Sequence, residues 1–306
     1  MPDDVLIFAN PIAGRGRGRV LAERIAGRLA AEGFRPNLFL ERVDQIRSEQ
    51  LDVPARAAIV IGGDGTVRGV ARALHQRANR DRVDGPPLLI VPMGTANLLG
   101  QHIGLHWDDR SLPANVVSAI RHHHIVRLDT ARANDELFLL MAGIGIDAGV
   151  VHELDRIRTG PIQFASYVLP AALALRAYQY PALTVSVDGK IVSRDMPAIA
   201  FVGNVKEYGT GFPLLPHARP DDGLLDVCVL PCRTPQDAVR HFLHAAAGEH
   251  LLGEGVAYTQ GVEINVTSSQ PVPVQIDGEA AGHTPVEIRL LPIRVPFIVP
   301  DNVSGQ

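Results

Sequence analysis

The chain has 306 residues, 46% of them hydrophobic and 20% charged, with a net charge of −4. That length suits two domains better than one small core, and the slight acidity excludes a broad nucleic-acid footprint. Two cysteines, Cys228 and Cys232, make neither a disulfide framework nor a cysteine-rich zinc site. Met1-Pro2-Asp3-Asp4 opens acidic and leads straight into a strand, unlike a signal peptide. The longest apolar run, residues 164–175, contains Pro170 and stops at Arg176, too short and too broken to span a bilayer. These features point to a cytoplasmic protein.

Val5 to Ala9 reads as a strand, followed by a helix from Val20 to Leu29 with Leu21, Ile25 and Leu29 on one stripe and Gly33 as its stop. Further strands are expected at Asn37–Leu40, Ala57–Ile61 and Leu88–Val91. Val67, Val70, Ala71 and Leu74 mark one face of a helix, and other helices start near Thr95 and Leu112. Strands apolar on both faces and separated by helices imply a parallel sheet with helices on both sides. From about Ile125 the pattern changes to hairpins, with turns at Asn134-Asp135 and Asp188-Gly189. The strand-like runs LLDVCVL, GVEINV, VPVQIDGE and VEIRLL follow, interrupted by a helix from about Gln236 to Leu251. The expected organisation is an α/β Rossmann-like nucleotide-binding domain over residues 1–124, then an antiparallel β-sandwich over 125–294.

Three turns of the first domain carry unusual residues, and in a parallel sheet all three open at the carboxyl ends of the strands, where ligands bind. In the first, Asn10 and Pro11 end a strand, and Gly14, Gly16 and Gly18 alternate with Arg15, Arg17 and Arg19. The second is Gly62-Gly63-Asp64-Gly65-Thr66. The third holds Gly94, Thr95 and Asn97. Glycines allow close backbone approach, helix N-termini attract anions, and arginines offer bidentate phosphate contacts. Thr66 is the expected N-cap in the bland reading of the second turn. A dinucleotide fingerprint at Gly14-x-Gly16 with Glu41 is the rival; its third glycine falls on Arg19, and it leaves two turns unexplained.

Asp64 is the only acid inside a phosphate-holding turn. It suits a carboxylate bridged by Mg²⁺ to the phosphates, or an Asx turn bracing the loop. Asp277 and Glu279 stand two apart in VQIDGEAA; on one strand they form a carboxylate pair for general-base work, and at a hairpin Asp277-Gly278 makes the bend. In RPDDGLLD, the bend at Gly223 can turn the carbonyls of Arg219 and Leu224 toward a cation bound by Asp222. His122, His123 and His124 read as a domain-junction surface, and His241, His244 and His250 as a solvated helix face.

The motifs NPIAG, GGDGT, PMGTAN, GIGIDA, GN…YGTGFPLLP, DDGLLDV and IDGE occur in the order seen in the diacylglycerol kinase catalytic domain, and the sequence resembles that family from residue 4 to about 290. The resemblance implies a Rossmann-like domain and a β-sandwich with ATP in the interdomain cleft, and VPFIVP (295–300) as a segment returning to the first domain. It implies a base within Asp277 and Glu279 and a structural Mg²⁺ site at Asp222. Three departures stand out. Arg15 or Arg17 replaces the first-loop lysine of many members. Leu98 stands where many diacylglycerol kinases have aspartate. Leu40-Glu41-Arg42 ends the second strand where related kinases offer threonine.

The expected activity is ATP- and Mg²⁺-dependent phosphorylation of a lipid hydroxyl, diacylglycerol first and a sphingoid base or ceramide next. The protein is expected to work from the cytoplasm at the inner membrane face, without a transmembrane segment and with a homodimer left open. Phe164, Tyr167, Val168, Ala171 and Leu175 form a candidate lipid-contact face. An NAD kinase, through the shared GGDGT, and a non-catalytic nucleotide-binding regulator, through Leu98, are the alternatives.

Overall fold

Apolar residues at every position make Ala57–Gly62 a strand buried on both faces, as the inner strand of a parallel sheet must be. The structure, a computed structural model, describes residues 2–11, 13–42, 45–81, 85–94, 96–108, 110–157, 178–209 and 212–300. It divides into two units, Met1–Leu128 with Ile293–Gln306, and Asp129–Pro292.

The first unit is built on β1 (Asp4–Ala9), β2 (Arg35–Phe39), β3 (Ala57–Gly62), β4 (Leu88–Pro92), β5 (Ile125–Leu128) and β17 (Val295–Ile298), in the spatial order β2-β1-β3-β4-β17-β5. Neighbours from β2 to β17 run parallel, and β5 is antiparallel to β17. Helix α1 (Arg17–Ala31) buries Ala22, Ile25 and Leu29 against the sheet. Gly33 ends it at φ 89, and the Phe34 N–H returns to the Leu29 carbonyl at 3.1 Å. Helices α2 (Asp64–Asp81), α3 (Leu98–His102) and α4 (Leu112–His122) follow. The helix expected from Thr95 is thus a single short turn, because Asn97 sits in the left-handed region at φ 51 and blocks an earlier start.

The second unit is antiparallel throughout. The long strand β10 (Lys190–Gly203) belongs to two sheets. Its first half pairs with β9 (Ala182–Val187), and that sheet continues through β13 (Glu263–Thr267), β16 (Val286–Leu290), β6 (Ala131–Ala133) and β7 (Glu136–Phe138). Its second half lies between β8 (Met141–Ile144) and β11 (Leu225–Pro231). Beyond these, β14 (Pro273–Ile276) joins β8, with β15 (Glu279–His283) outside it, and β12 (Ala257–Gly261) joins β11. Leu183, Val185, Ile264 and Ile288 from one sheet share a core with Ile144, Val202, Val227 and Val274 from the other. The hairpins turn at Asn134-Asp135 and at Asp188-Gly189, where Asp188 (φ 48) and Gly189 (φ 78) supply the left-handed pair a two-residue loop requires.

Helix α5 (Ile146–Ile157) has no counterpart in the sequence reading. Helix α6 (Pro235–Ala246) opens with a capping box between Thr234 and Asp237 and stops before His250. Two of the three histidines, His241 and His250, do not lie on a solvated face. His241 is buried with Nε2 on the Pro231 carbonyl at 2.6 Å, and His250 is buried with Nε2 on the Leu214 carbonyl at 3.0 Å. Burial lowers the pKa of both, which suits neutral rings donating one hydrogen bond. The outward face of α6 carries Val239, Phe242 and Leu243 instead. Phe164, Tyr167, Val168, Ala171 and Leu175 lie outside the described residues. Among the described residues no helix is long and apolar enough to cross a membrane.

Candidate active site

The first unit brings its three glycine turns together at the carboxyl ends of β1, β3 and β4. The Asn10 N–H donates to the Ile61 carbonyl at 3.2 Å, and the Met93 N–H to the Gly62 carbonyl at 2.8 Å. Gly14, at φ 57, packs so closely on Met93 that a Cβ there would collide with the thioether methyl. Gly63 and Gly94 meet backbone to backbone: a Cβ on Gly94 would lie 2.7 Å from Gly63 Cα. Asn97 closes the third turn on itself, its Oδ1 accepting the Gly94 N–H and its Nδ2 donating to the Gly94 carbonyl, each at 2.8 Å. Arg15 lies in a 3₁₀ turn over Ala13–Gly16, and Arg17 is exposed, its Nε donating to the Gly14 carbonyl at 3.1 Å. Thr95 lies outside the described residues.

Thr66 is not the N-cap of α2. The helix begins at Asp64, with the Thr66 and Val67 N–H groups on the Gly63 carbonyl at 2.9 and 3.2 Å, so Gly65 and Thr66 fall within its first turn. Asp64 reaches across to the third turn: Oδ2 accepts the Leu98 N–H at 3.0 Å and Oδ1 the Leu99 N–H at 3.1 Å. Burial raises its pKa, and these two amides pull the other way. Both oxygens offered to Mg²⁺ on sequence grounds thus also hold the start of α3, a brace between the second and third turns in place of an Asx turn within the loop. Leu98 itself is buried, and its N–H takes part in that brace. Asp64→Asn sets an amide NH₂ against one of these N–H donors. The expected loss is about 1–3 kcal/mol of unfolding free energy, measured by denaturant titration without ligand; an unchanged midpoint would show the brace to be dispensable.

In the second unit Asp277 and Glu279 do not share a strand face. Asp277 (φ 48) and Gly278 (φ 81) form the bend between β14 and β15, and Glu279 opens β15, half-buried. The Asp277 carboxylate accepts three backbone N–H groups, from Leu139 at 3.0 Å, Leu140 at 2.9 Å and Met141 at 3.1 Å. The Asp277 N–H donates back to the Met141 carbonyl at 2.9 Å. A carboxylate so enclosed by donors clamps the main chain of Leu139, Leu140 and Met141, and Glu279 stands beyond the bend at the head of β15.

At the third predicted place, Asp222 Oδ1 accepts the Leu224 N–H at 3.0 Å, an Asx turn that Gly223 completes at φ 79. The Gly223 N–H donates to Oδ2 of Asp129 at 2.7 Å, a residue only 2% exposed that sequence reasoning missed. Arg219 stands exposed, 3.5 Å from Asp221. Among the described residues no three His, Cys, Asp or Glu side chains form a metal cluster. A cation here would rest on Asp222 and main-chain oxygens.

Asp147, in the first turn of α5, is the other acid the sequence reading left without a role. Burial pushes its carboxyl up to about 6, against hydrogen bonds from the Ala148 N–H, Gln275 and Tyr208. Its signal was in plain view within GIGIDA, where an acid interrupts an otherwise apolar run.

Known proteins share this layout. The diacylglycerol kinase catalytic domain matches residues 4–133, and the YegS C-terminal NAD kinase beta sandwich-like domain matches residues 141–299. Residues 4–133 belong to the diacylglycerol kinase catalytic-domain family, and residues 141–299 to the YegS C-terminal domain family. The chain is 24% identical to a diacylglycerol kinase of Staphylococcus carnosus over 98% of this chain and 96% of that one. It is 25% identical to a diacylglycerol kinase of Bacillus subtilis over 81% and 79% of the two chains. A solved diacylglycerol kinase from Bacillus anthracis covers 98% of both chains with a TM-score of 0.68 at 23% identity, which establishes the likeness of fold. A second structure from that organism gives a TM-score of 0.73 at 25% identity over 98% of this chain. Family membership accounts for both the parallel sheet with its glycine turns and the antiparallel unit that follows.

Proposed function

We propose that the protein transfers the γ-phosphoryl group of ATP to the hydroxyl of a lipid, with diacylglycerol as the first acceptor to test and a sphingoid base or ceramide next. The observation that carries this reading is the meeting of three glycine turns at one edge of the first sheet, in a unit that matches the diacylglycerol kinase catalytic domain. Phosphoryl transfer asks for positioning and charge neutralisation more than for covalent chemistry. Backbone N–H groups around Gly14, Gly63 and Gly94 and the N-terminus of α2 are suited to receive phosphate, and the exposed Arg17 to screen it. Mg²⁺ enters with ATP as part of the substrate. Glu279 accepts the proton of the acceptor hydroxyl as its oxygen attacks the γ-phosphorus and ADP departs. The work is placed at the inner face of a membrane, where such an acceptor resides.

Incubation of the purified protein with γ-labelled ATP and separate lipid classes tests the reading. Label in an organic-phase product is expected. Label appearing only in NAD would make the enzyme an NAD kinase, and ATP binding without any transfer would make it a nucleotide-binding regulator.

A resident cation at Asp222 is a separate proposal. Added Mg²⁺ is expected to raise the melting temperature of the parent by mass action on the folded state, and Asp222→Ala to blunt that rise. Identical Mg²⁺ dependence in the two proteins would remove the site.

A further inference from the structure

Gln275 on β14 is 1% exposed, and a primary amide shut into a core must find partners for its donor and its acceptor. It has one on each side. Its Nε2 donates to Asp147 Oδ2 at 3.3 Å, and its Oε1 accepts the Gly278 N–H at 2.9 Å. These partners fix the orientation of the amide, since an ionised carboxylate only accepts and a backbone N–H only donates. Gly143 on β8 leaves the room: a Cβ there would collide with Asp147 Oδ2 and lie 2.6 Å from Gln275 Nε2. Gly278 completes the bend, and Glu279 follows it directly. An unbroken run of hydrogen bonds therefore ties the first turn of α5 to the bend that presents Glu279.

An asparagine at position 147 would satisfy Gln275 without burying a charge, yet an aspartate stands there. Among the described residues its Oδ1 is closed off from solvent without a hydrogen-bond partner. We propose that Asp147 is a positioning residue for phosphoryl transfer, acting through Gln275 on the Asp277-Gly278 bend so that Glu279 keeps its place. The role in transfer rests on the kinase reading; the hydrogen-bond run does not.

Among the described residues the groups around Asp147 are few. Tyr208 bonds to it, and the Tyr178 hydroxyl, raised first by burial, is raised further by its charge. His152 on the next turn of α5 points Nε2 at the Val274 carbonyl, 2.8 Å away, and meets His283 of β15 edge-on at 5.3 Å, with Glu153 beside it and Glu279 at the head of β15. Neither β8 nor β14 carries a charged side chain. The carboxyl titrates at about 6 when folded against an ordinary 3.8, so its ionisation weakens the fold as pH rises through that window.

The test uses the full chain and two readouts. Without ligand, Asp147→Asn is expected to melt above the parent at pH 8 and level with it near pH 4, in contrast to loss of a simple brace, which lowers melting at both. Amide exchange at Gly278, taken as the ratio of variant to parent, is expected to change about fivefold between pH 5 and pH 7, the difference between a charged and a neutral hydrogen bond. With ATP and the accepted lipid, Gln275→Leu is expected to lower kcat about ten- to a hundredfold at constant KM for ATP. Asp147→Asn is expected to flatten the limb of the kcat profile between pH 5 and 7. A constant Gly278 ratio, or an unaltered limb, overturns the proposal. A responsive Gly278 in a parent that phosphorylates no lipid overturns the kinase reading and the positioning role together, and leaves only a hydrogen-bond relay.

Discussion

Glu279→Gln is expected to lower kcat for lipid phosphorylation by about 10²–10⁴-fold while ATP affinity stays within a factor of about two, as befits a group that touches the acceptor. Asp277→Asn is expected to behave differently. Its carboxylate accepts the N–H groups of Leu139, Leu140 and Met141, so an amide NH₂ in that place faces a donor and disturbs the bend. The loss should appear as a lower melting temperature and a smaller fall in kcat. Measuring kcat, ATP binding and melting for both variants separates a base from a clamp. Parental turnover in Glu279→Gln would send the search for the base elsewhere.

Gly94→Ala is expected to be the most damaging single methyl in the first unit. The added carbon would stand 2.7 Å from Gly63 Cα and 2.7 Å from Asn97 Oδ1, so it presses on backbone and on the hydrogen bond that closes the third turn. Neither neighbour is the free end of a flexible side chain. The second and third turns must separate, at about 1–3 kcal/mol for such overpacking, and ATP affinity should fall at least about tenfold because the phosphate donors of the two turns lose registry. Isothermal titration with Mg·ATP measures this, and Gly16→Ala is the control: Gly16 is at φ 85 with open space around it, so its strain is local. Equal affinity in Gly94→Ala and the parent would place the nucleotide away from these turns.

Much of this was legible in the sequence because the signals were local. Ala57–Ile61 and Leu88–Val91 are apolar at every position, and Asn134-Asp135 and Asp188-Gly189 are turn dipeptides in which Asn134, Asp188 and Gly189 take left-handed φ. What stayed hidden depends on distant partners. The contacts of Asp64 lie 34 and 35 residues away, and those of Asp277 lie 136 to 138 residues away, so the main chain each one holds could not be read from its own motif. Helix α5 was missed because GIGIDAGVV, rich in glycine and β-branched residues, has the composition of a strand end. His241 and His250 were misread because a histidine ring with a carbonyl partner is as much at home in a core as in water.

The position of β17 sets an order of assembly. It fills the slot between β4 and β5, with Phe297 opposite Leu88 and Val126, and Phe297 and Ile298 fully buried. A ribosome releases Leu88 and Ile125–Leu128 long before it reaches Val295, and all of Asp129–Pro292 is made in between. Throughout that interval the nascent first unit carries two unpaired strand edges beside an empty hydrophobic trough, the kind of surface that chaperones bind and neighbouring chains invade. Of the two units, the one whose synthesis begins earlier is the one completed later.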